Sequence, residues 1–218
     1  MTPRPPVVSA EEWKKEREAL LVTEKAHTRA LDALAAQRRR LPMVALRTDY
    51  EFTAPDGAKV GLTDLFDGRR QLVIYHFMQS PGQDWICDGC ESFTDNIPYQ
   101  EHLNARDTTL ILMAPAPQEE IEVVRKRFGW SVPWFSSYGN DFHDDLELGE
   151  NFGLSVLLRD GDEVFRTYYT SGRGVDRLRM DLNLLDMTPY GRQEKWEDSP
   201  EGWPQTPTME WMRLRDEY

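Results

Sequence analysis

The sequence predicts an α/β domain with a central mixed sheet flanked by helices. Three observations predict it. Residues 71–78 (Gln-Leu-Val-Ile-Tyr-His-Phe-Met) and 108–114 (Thr-Thr-Leu-Ile-Leu-Met-Ala) are apolar without alternation, the pattern of strands buried on both faces of a parallel sheet. Helical segments follow each of them, one from the first cysteine to about residue 97 and an amphipathic one over 117–128, so strands and helices alternate. Further on, apolar runs flank Asp160-Gly161, a turn dipeptide that adds an antiparallel hairpin.

The 218 residues suit one domain with extensions: a helical arm over 1–41, the α/β domain over 42–188 and a tail over 189–218 packed on it. A hydrophobic fraction of 39% is enough for a real core. The formal charge of -12 argues against nucleic acid and against an anionic membrane surface as partners. No stretch reaches the roughly 18–20 apolar residues of a membrane span. Residues 1–13 lack the apolar run of a secretory signal, so the expected compartment is the cytoplasm.

In chain order, Ser9-Ala10-Glu11-Glu12 reads as a capping box that opens a helix over about 10–40, with Arg38, Arg39 and Arg40 at its negative end. Its apolar positions, Trp13, Leu20, Leu21, Leu31 and Leu34, are sparse for its length. The helix is therefore expected either to lie on the domain by one packed stripe or to serve as the arm of a homodimer. Pro42 ends it. Residues 50–60 form a hairpin around Pro55-Asp56-Gly57, and 62–66 a short helical turn closed by Asp67-Gly68. After the first buried strand come a loop over 80–83, the cysteine-led helix stopped by Pro98, and the second buried strand. The helix over 117–128 is capped by Gly129. A third strand over 132–138, the hairpin over 154–170 and a helix over 176–187 complete the domain. The tail should be pinned by Trp196, Trp203 and Trp211.

The chemistry centres on Cys87-Asp88-Gly89-Cys90, which holds the only two cysteines of the chain. Two thiols three positions apart, where a strand hands over to a helix, are set up for dithiol–disulfide exchange. In a reducing compartment such a pair is catalytic or metal-binding rather than a structural staple. Cys87, ahead of the helix, meets its unpaired N–H groups and is the expected nucleophile; Cys90, one turn later, is the expected resolving thiol. Asp84, Asp88 and Glu91 oppose thiolate formation, and no Lys or Arg lies between residues 71 and 105. Cys87 is therefore expected to be less acidic than the nucleophile of a strongly oxidising pair. Trp85 is a candidate substrate platform, with Asp88 and Gly89 beside it.

The order strand–helix–strand–helix–strand, then hairpin and helix, is that of a thioredoxin-like domain, with the cysteine pair at a strand's carboxyl end. Thioredoxins place a cis-proline at the start of the strand facing the dithiol. Here that strand begins near Phe152-Gly153-Leu154-Ser155 without proline, so Gly153 or Leu154 takes the spot and Gly153 joins the candidate substrate-binding residues.

The chain also resembles the family called domain of unknown function 899, described as predicted dithiol-disulfide oxidoreductases of thioredoxin-like fold. The matching pieces are Val8-Ser9-x-x-Glu12-Trp13, Tyr75-His76-Phe77-Met78, Trp134-x-Ser136-Ser137-Tyr138-Gly139 with Asp141-Phe142, and Arg159-Asp160-Gly161-Asp162 with Val164-Phe165. Leu185-Asp186-x-Thr188-Pro189, Trp211 and Tyr218 complete the set. The resemblance implies the same fold and activity, on thiol or disulfide substrates, protein or small. Relative to that family the segment after Phe142 is shortened, and His143 replaces an Asn-like residue.

Two alternatives stand beside disulfide exchange. Cys87 and Cys90 with His76 or His143 would suit zinc or copper(I); otherwise His76 is a hydrogen-bonded core residue and His143 a solvated loop residue. A peroxiredoxin-like peroxidase fits less well, because Trp85 and Ile86 stand where a hydroxyl residue is expected between Pro81 and Cys87. Tyr75 and Met78 read as core, Asp141 as a helix N-cap, and Ser136 and Ser137 as candidate lining.

Overall fold

The computed structural model describes residues 3–149 and 151–218. Its sheet has eight strands: β1 (Val44–Leu46), β2 (Glu51–Thr53), β3 (Lys59–Gly61), β4 (Gln71–His76), β5 (Thr108–Ala114), β6 (Trp134–Ser136), β7 (Gly153–Asp160) and β8 (Glu163–Thr170). Across the sheet they run β1-β8-β7-β4-β5-β6-β2-β3. The helices are α1 (Ala10–Arg38), α2 (Asp88–Asp95), α3 (Glu101–Asn104), α4 (Gln118–Phe128), α5 (Phe142–Asp145) and α6 (Met180–Leu185).

The middle of the sheet is thioredoxin-like. β4 and β5 are parallel and joined through α2, and β7 runs antiparallel to β4 on its other side and turns back as β8. A second crossover through α4 adds β6 parallel to β5. The absence of alternation in the two apolar runs follows from this placement. Val73 and Tyr75 of β4, with Leu110 and Leu112 of β5, face one core, which also contains Cys90, Phe93, Trp130 and Trp134. Leu72, Ile74, Ile111 and Met113 face a second core with Phe52, Phe66 and Phe142. Strands covered on both faces have no solvent side to mark with polar residues.

Most expected elements are present, including the hairpin of β2 and β3 and the 3-10 turn Asp64–Phe66, which closes at Asp67 with φ 50°. Gly129 caps α4 at φ 67°. The expected helix over 176–187 is broken. A 3-10 stretch, Gly172–Leu178, precedes α6, and Arg179 between them is extended. Arg179 is buried there and pairs with Asp181 and Ser92, which ties this segment to α2. β1 and α3 lie outside the expected elements, and α5 begins just after Asp141, the position expected as a helix N-cap.

The tail is organised differently from the expectation of three pinning tryptophans. Its centre is the buried Glu194 carboxylate, which accepts hydrogen bonds from the indoles of Trp196 and Trp211 and from the Met209 amide. Trp203 packs edge-on against Tyr190, whose hydroxyl donates to the Pro3 carbonyl. Ser9 caps α1 as expected, accepting the Glu12 N–H at 3.2 Å. The expected packed stripe is missing: α1 has no buried residue. No helix among the described residues is long and apolar enough to cross a membrane.

Candidate dithiol site

Cys87 is the N-cap residue of α2. Its backbone is extended (φ -68°, ψ 110°), and its Sγ accepts the Cys90 N–H at 3.3 Å. An N-cap position puts a side chain among the first unpaired amides of a helix, here with sulfur in place of the usual oxygen. Both cysteines are free thiols. Cys87 is half-buried, whereas Cys90 is only 1% exposed.

The two thiols are pushed in opposite directions. Cys87 is lowered from its ordinary value, first by the hydrogen bond with the Cys90 side chain and then by the Cys90 and Gly89 amides. Burial and the Asp88 carboxylate oppose this. Cys90 is raised well above its ordinary value, chiefly by burial and next by Cys87. Of the three carboxylates expected to act on the nucleophile, Asp88 does so directly. Glu91 turns instead under the tail, where its carboxylate accepts the Arg215 N–H at 3.2 Å. Burial, then the neighbouring Asp95, pushes the Glu91 carboxyl up to about 7. Asp84 is exposed.

Tyr75, read from the sequence as core filling, belongs to the site. Its ring stacks on Phe93 with 3.8 Å between centroids, and its phenol pulls the Cys90 thiol down against the burial that raises it. Burial raises Tyr75 itself well above the usual phenol value. One signal in the sequence could have found it. Tyr75 is the next-to-last residue of the strand leading to the cysteines and, two positions from Val73, shares its face.

The same alternation turns His76 away. It lies on the opposite face of the sheet, where its Nε2 meets the Ser155 hydroxyl at 2.9 Å, fully buried as a hydrogen-bonded core residue. His143 is not the solvated loop residue expected: it is 6% exposed, with Nδ1 at 2.7 Å from the Ser137 hydroxyl. Burial lowers its pKa to about 4, so it is neutral at physiological pH. The two imidazoles pack edge-to-face at 5.2 Å. The donor set proposed for zinc or copper is therefore not brought together, and no three His, Cys, Asp or Glu side chains among the described residues are grouped to hold a metal ion.

Trp85 is 52% exposed beside the nucleophile, held by a hydrogen bond from the Gln83 side chain to its carbonyl at 2.7 Å. Asp88 accepts the Gly89 N–H at 2.8 Å. At the start of β7, no cis peptide occurs among the described residues. Leu154 pairs with Tyr75 and joins the dithiol core. Gly153 pairs with His76, and a Cβ there would come within 2.6 Å of the Tyr169 ring on the other face. Leu154, rather than Gly153, thus shares the face of the cysteines. Asp141 takes the N-cap position of α5 as expected, but its side chain makes no cap hydrogen bond and binds Arg47 at 3.0 Å instead. Ser136 donates to the Ala116 carbonyl and is structural.

Solved structures with a similar backbone include a predicted protein disulfide isomerase from Bacteroides thetaiotaomicron. It is 19% identical with a TM-score of 0.42, over 66% of this chain and 91% of that one. A predicted thiol-disulfide oxidoreductase from Bacteroides vulgatus is 15% identical with a TM-score of 0.42, over 62% and 87%. A peroxiredoxin Q mutant from Xanthomonas campestris is 13% identical with a TM-score of 0.40, over 62% and 91%. No curated protein matches the sequence. The family model described as bacterial protein of unknown function, DUF899, matches residues 2–218, and the chain belongs to that family.

Proposed function

We propose that the protein exchanges dithiols and disulfides through Cys87 and Cys90. The observation that carries this reading is the asymmetry of the pair. The half-buried Cys87 sulfur takes the N-cap position of α2, with its acidity increased, while Cys90 beneath it is buried and less acidic. The thiolate is the attacking species, so Cys87 reacts first.

In the reductive direction the Cys87 thiolate attacks one sulfur of a substrate disulfide. A Cys87–substrate disulfide forms, and the other substrate sulfur leaves as a thiolate that takes up a proton. Cys90 then loses its proton and attacks the Cys87 sulfur. The intramolecular disulfide forms, the second substrate thiol leaves, and two electrons have passed to the substrate. A second dithiol must reduce the pair for turnover; the reverse sequence oxidises a dithiol substrate. Trp85 offers an exposed aromatic platform beside the nucleophile, with Asp88 and Gly89 at its base.

The test is a thiol count. Purified protein treated with a small disulfide should go from two free thiols to none and return to two with excess dithiothreitol, without change of oligomeric state. Two thiols that stay unreactive in the folded protein, or that react independently without joining, would overturn the proposal.

A further inference from the structure

Strand alternation puts His76 on the face of the sheet away from the dithiol, where it meets His143 of α5 with 5.2 Å between ring centres. Each imidazole is held through one nitrogen. His76 Nε2 lies 2.9 Å from the Ser155 hydroxyl, and His143 Nδ1 lies 2.7 Å from the Ser137 hydroxyl. The other nitrogen of each ring, His76 Nδ1 and His143 Nε2, is buried and has no hydrogen-bond partner among the described residues. Leaving a buried polar atom unpaired costs about 1–3 kcal/mol, and here two such atoms belong to rings packed on each other.

At least one of the free nitrogens is a lone pair. Ser137 donates to the Ala114 carbonyl at 3.3 Å, so its oxygen accepts from His143 Nδ1–H and leaves Nε2 without a proton. Histidines that ligate metals are oriented in this way, by a hydrogen bond from the second nitrogen. With about 2.0–2.1 Å from ion to nitrogen, two imidazoles on one ion hold their ring centres roughly 5–6 Å apart, and the observed pair falls in that range. A third donor stands beside them. β5 runs between β4 and β6, and Met113 is its residue paired with His76. Met113 is fully buried in the core that contains Phe142, so its thioether is on the face of the two imidazoles.

We propose that His76, His143 and Met113 form a copper(I) site behind the sheet, sharing no ligand with Cys87 and Cys90. The donor set selects the ion. All three ligands are neutral, because burial keeps both imidazoles unprotonated at physiological pH. No proton has to leave for a metal to bind. Among the described residues no carboxylate acts on either imidazole, and the Arg166 guanidinium on β8 acts on His76 as a further positive charge. A divalent ion would bring two charges here with no anionic ligand to offset them. Copper(I) brings one, and takes both imidazole and thioether donors. His143, 6% exposed on the four-residue α5, is the outermost of the three ligands and lies on the side from which the ion enters.

The test uses the full chain carrying Cys87→Ser and Cys90→Ser, which removes both thiols and leaves the far face of the sheet untouched. Titrated anaerobically with copper(I) against the chromophoric chelator bathocuproine disulfonate, it should retain one ion per chain. X-ray absorption of the loaded protein should show a sulfur neighbour, which in a chain without cysteine comes from methionine. That readout needs no substitution at the site itself. In the same background, Met113→Leu, close in volume, should remove the sulfur neighbour. Ser137→Ala, which takes away the anchor of His143, should weaken copper(I) binding about 10–100-fold. No retained copper(I), a loaded protein without a sulfur neighbour, a sulfur neighbour that survives Met113→Leu, or zinc(II) held in preference to copper(I) would each overturn the proposal.

Discussion

Replacing Glu91 by Gln removes a titrating group from the helix that carries the dithiol. Glu91 is 1% exposed, beside Asp95 and under the tail segment that contains Arg215. Burial and Asp95 raise its carboxyl from 4.5 to about 7. The folded protein thus holds this proton more tightly than the unfolded chain. The associated stability is complete below pH 4.5 and is lost as the pH rises through about 7. At 1.36 kcal/mol per pKa unit, that gap corresponds to a loss of about 3 kcal/mol. Gln keeps an oxygen for the Arg215 amide and has no charge to bury. Urea unfolding of both proteins between pH 5 and pH 8 should show the parent losing about 2–3 kcal/mol relative to Glu91→Gln, the remainder of the gap lying below pH 5. Other titrating groups, including His143, cancel in that difference. Parallel stability curves for the two proteins would refute the reasoning.

Three further outcomes are expected. Tyr75→Phe removes the phenol that pulls the Cys90 thiol down, so stopped-flow release of the second substrate thiol should slow while attack by Cys87 is unchanged. Asp88→Asn removes the carboxylate that opposes the Cys87 thiolate, and the pH midpoint of Cys87 alkylation should move down; an upward move would contradict the assigned cause. Arg179→Met removes the buried partner of Asp181 and Ser92 and should cost about 3 kcal/mol, seen as a fall of about 6–12 °C in melting temperature.

The fold was legible where local pattern and tertiary environment agree. The apolar runs of β4 and β5 admit one reading because both faces of each strand are covered, and Ser9 and Gly129 mark helix ends through chemistry confined to a few residues. β1 was invisible because its three residues are set by pairing with β8 more than a hundred positions away. The break at Arg179 depends on a partner on α2, and sequence distance conceals it.

At the site, the strand–helix junction located Cys87 and Cys90, and strand alternation was sufficient to place Tyr75 on their face and His76 behind it. Closeness in sequence made His76 look like a ligand, whereas one step along a strand is a change of face. His143 read as solvated because its short helix is polar; its burial comes from the packing of α5 against the sheet, with Phe142 among Tyr50 and Phe52. The acidic flank of the dithiol was overstated for the same reason: Glu91 follows Cys90 directly, yet points under the tail.

The most direct test of the dithiol assignment is intact-mass analysis of two single variants after reaction with a small disulfide. Cys90→Ser should accumulate one substrate half as a mixed disulfide on Cys87, released by dithiothreitol. Cys87→Ser, left with the buried and less acidic thiol, should accumulate little or none. Equal labelling of the two variants, or labelling confined to Cys90, would contradict the assignment of nucleophile and resolving thiol.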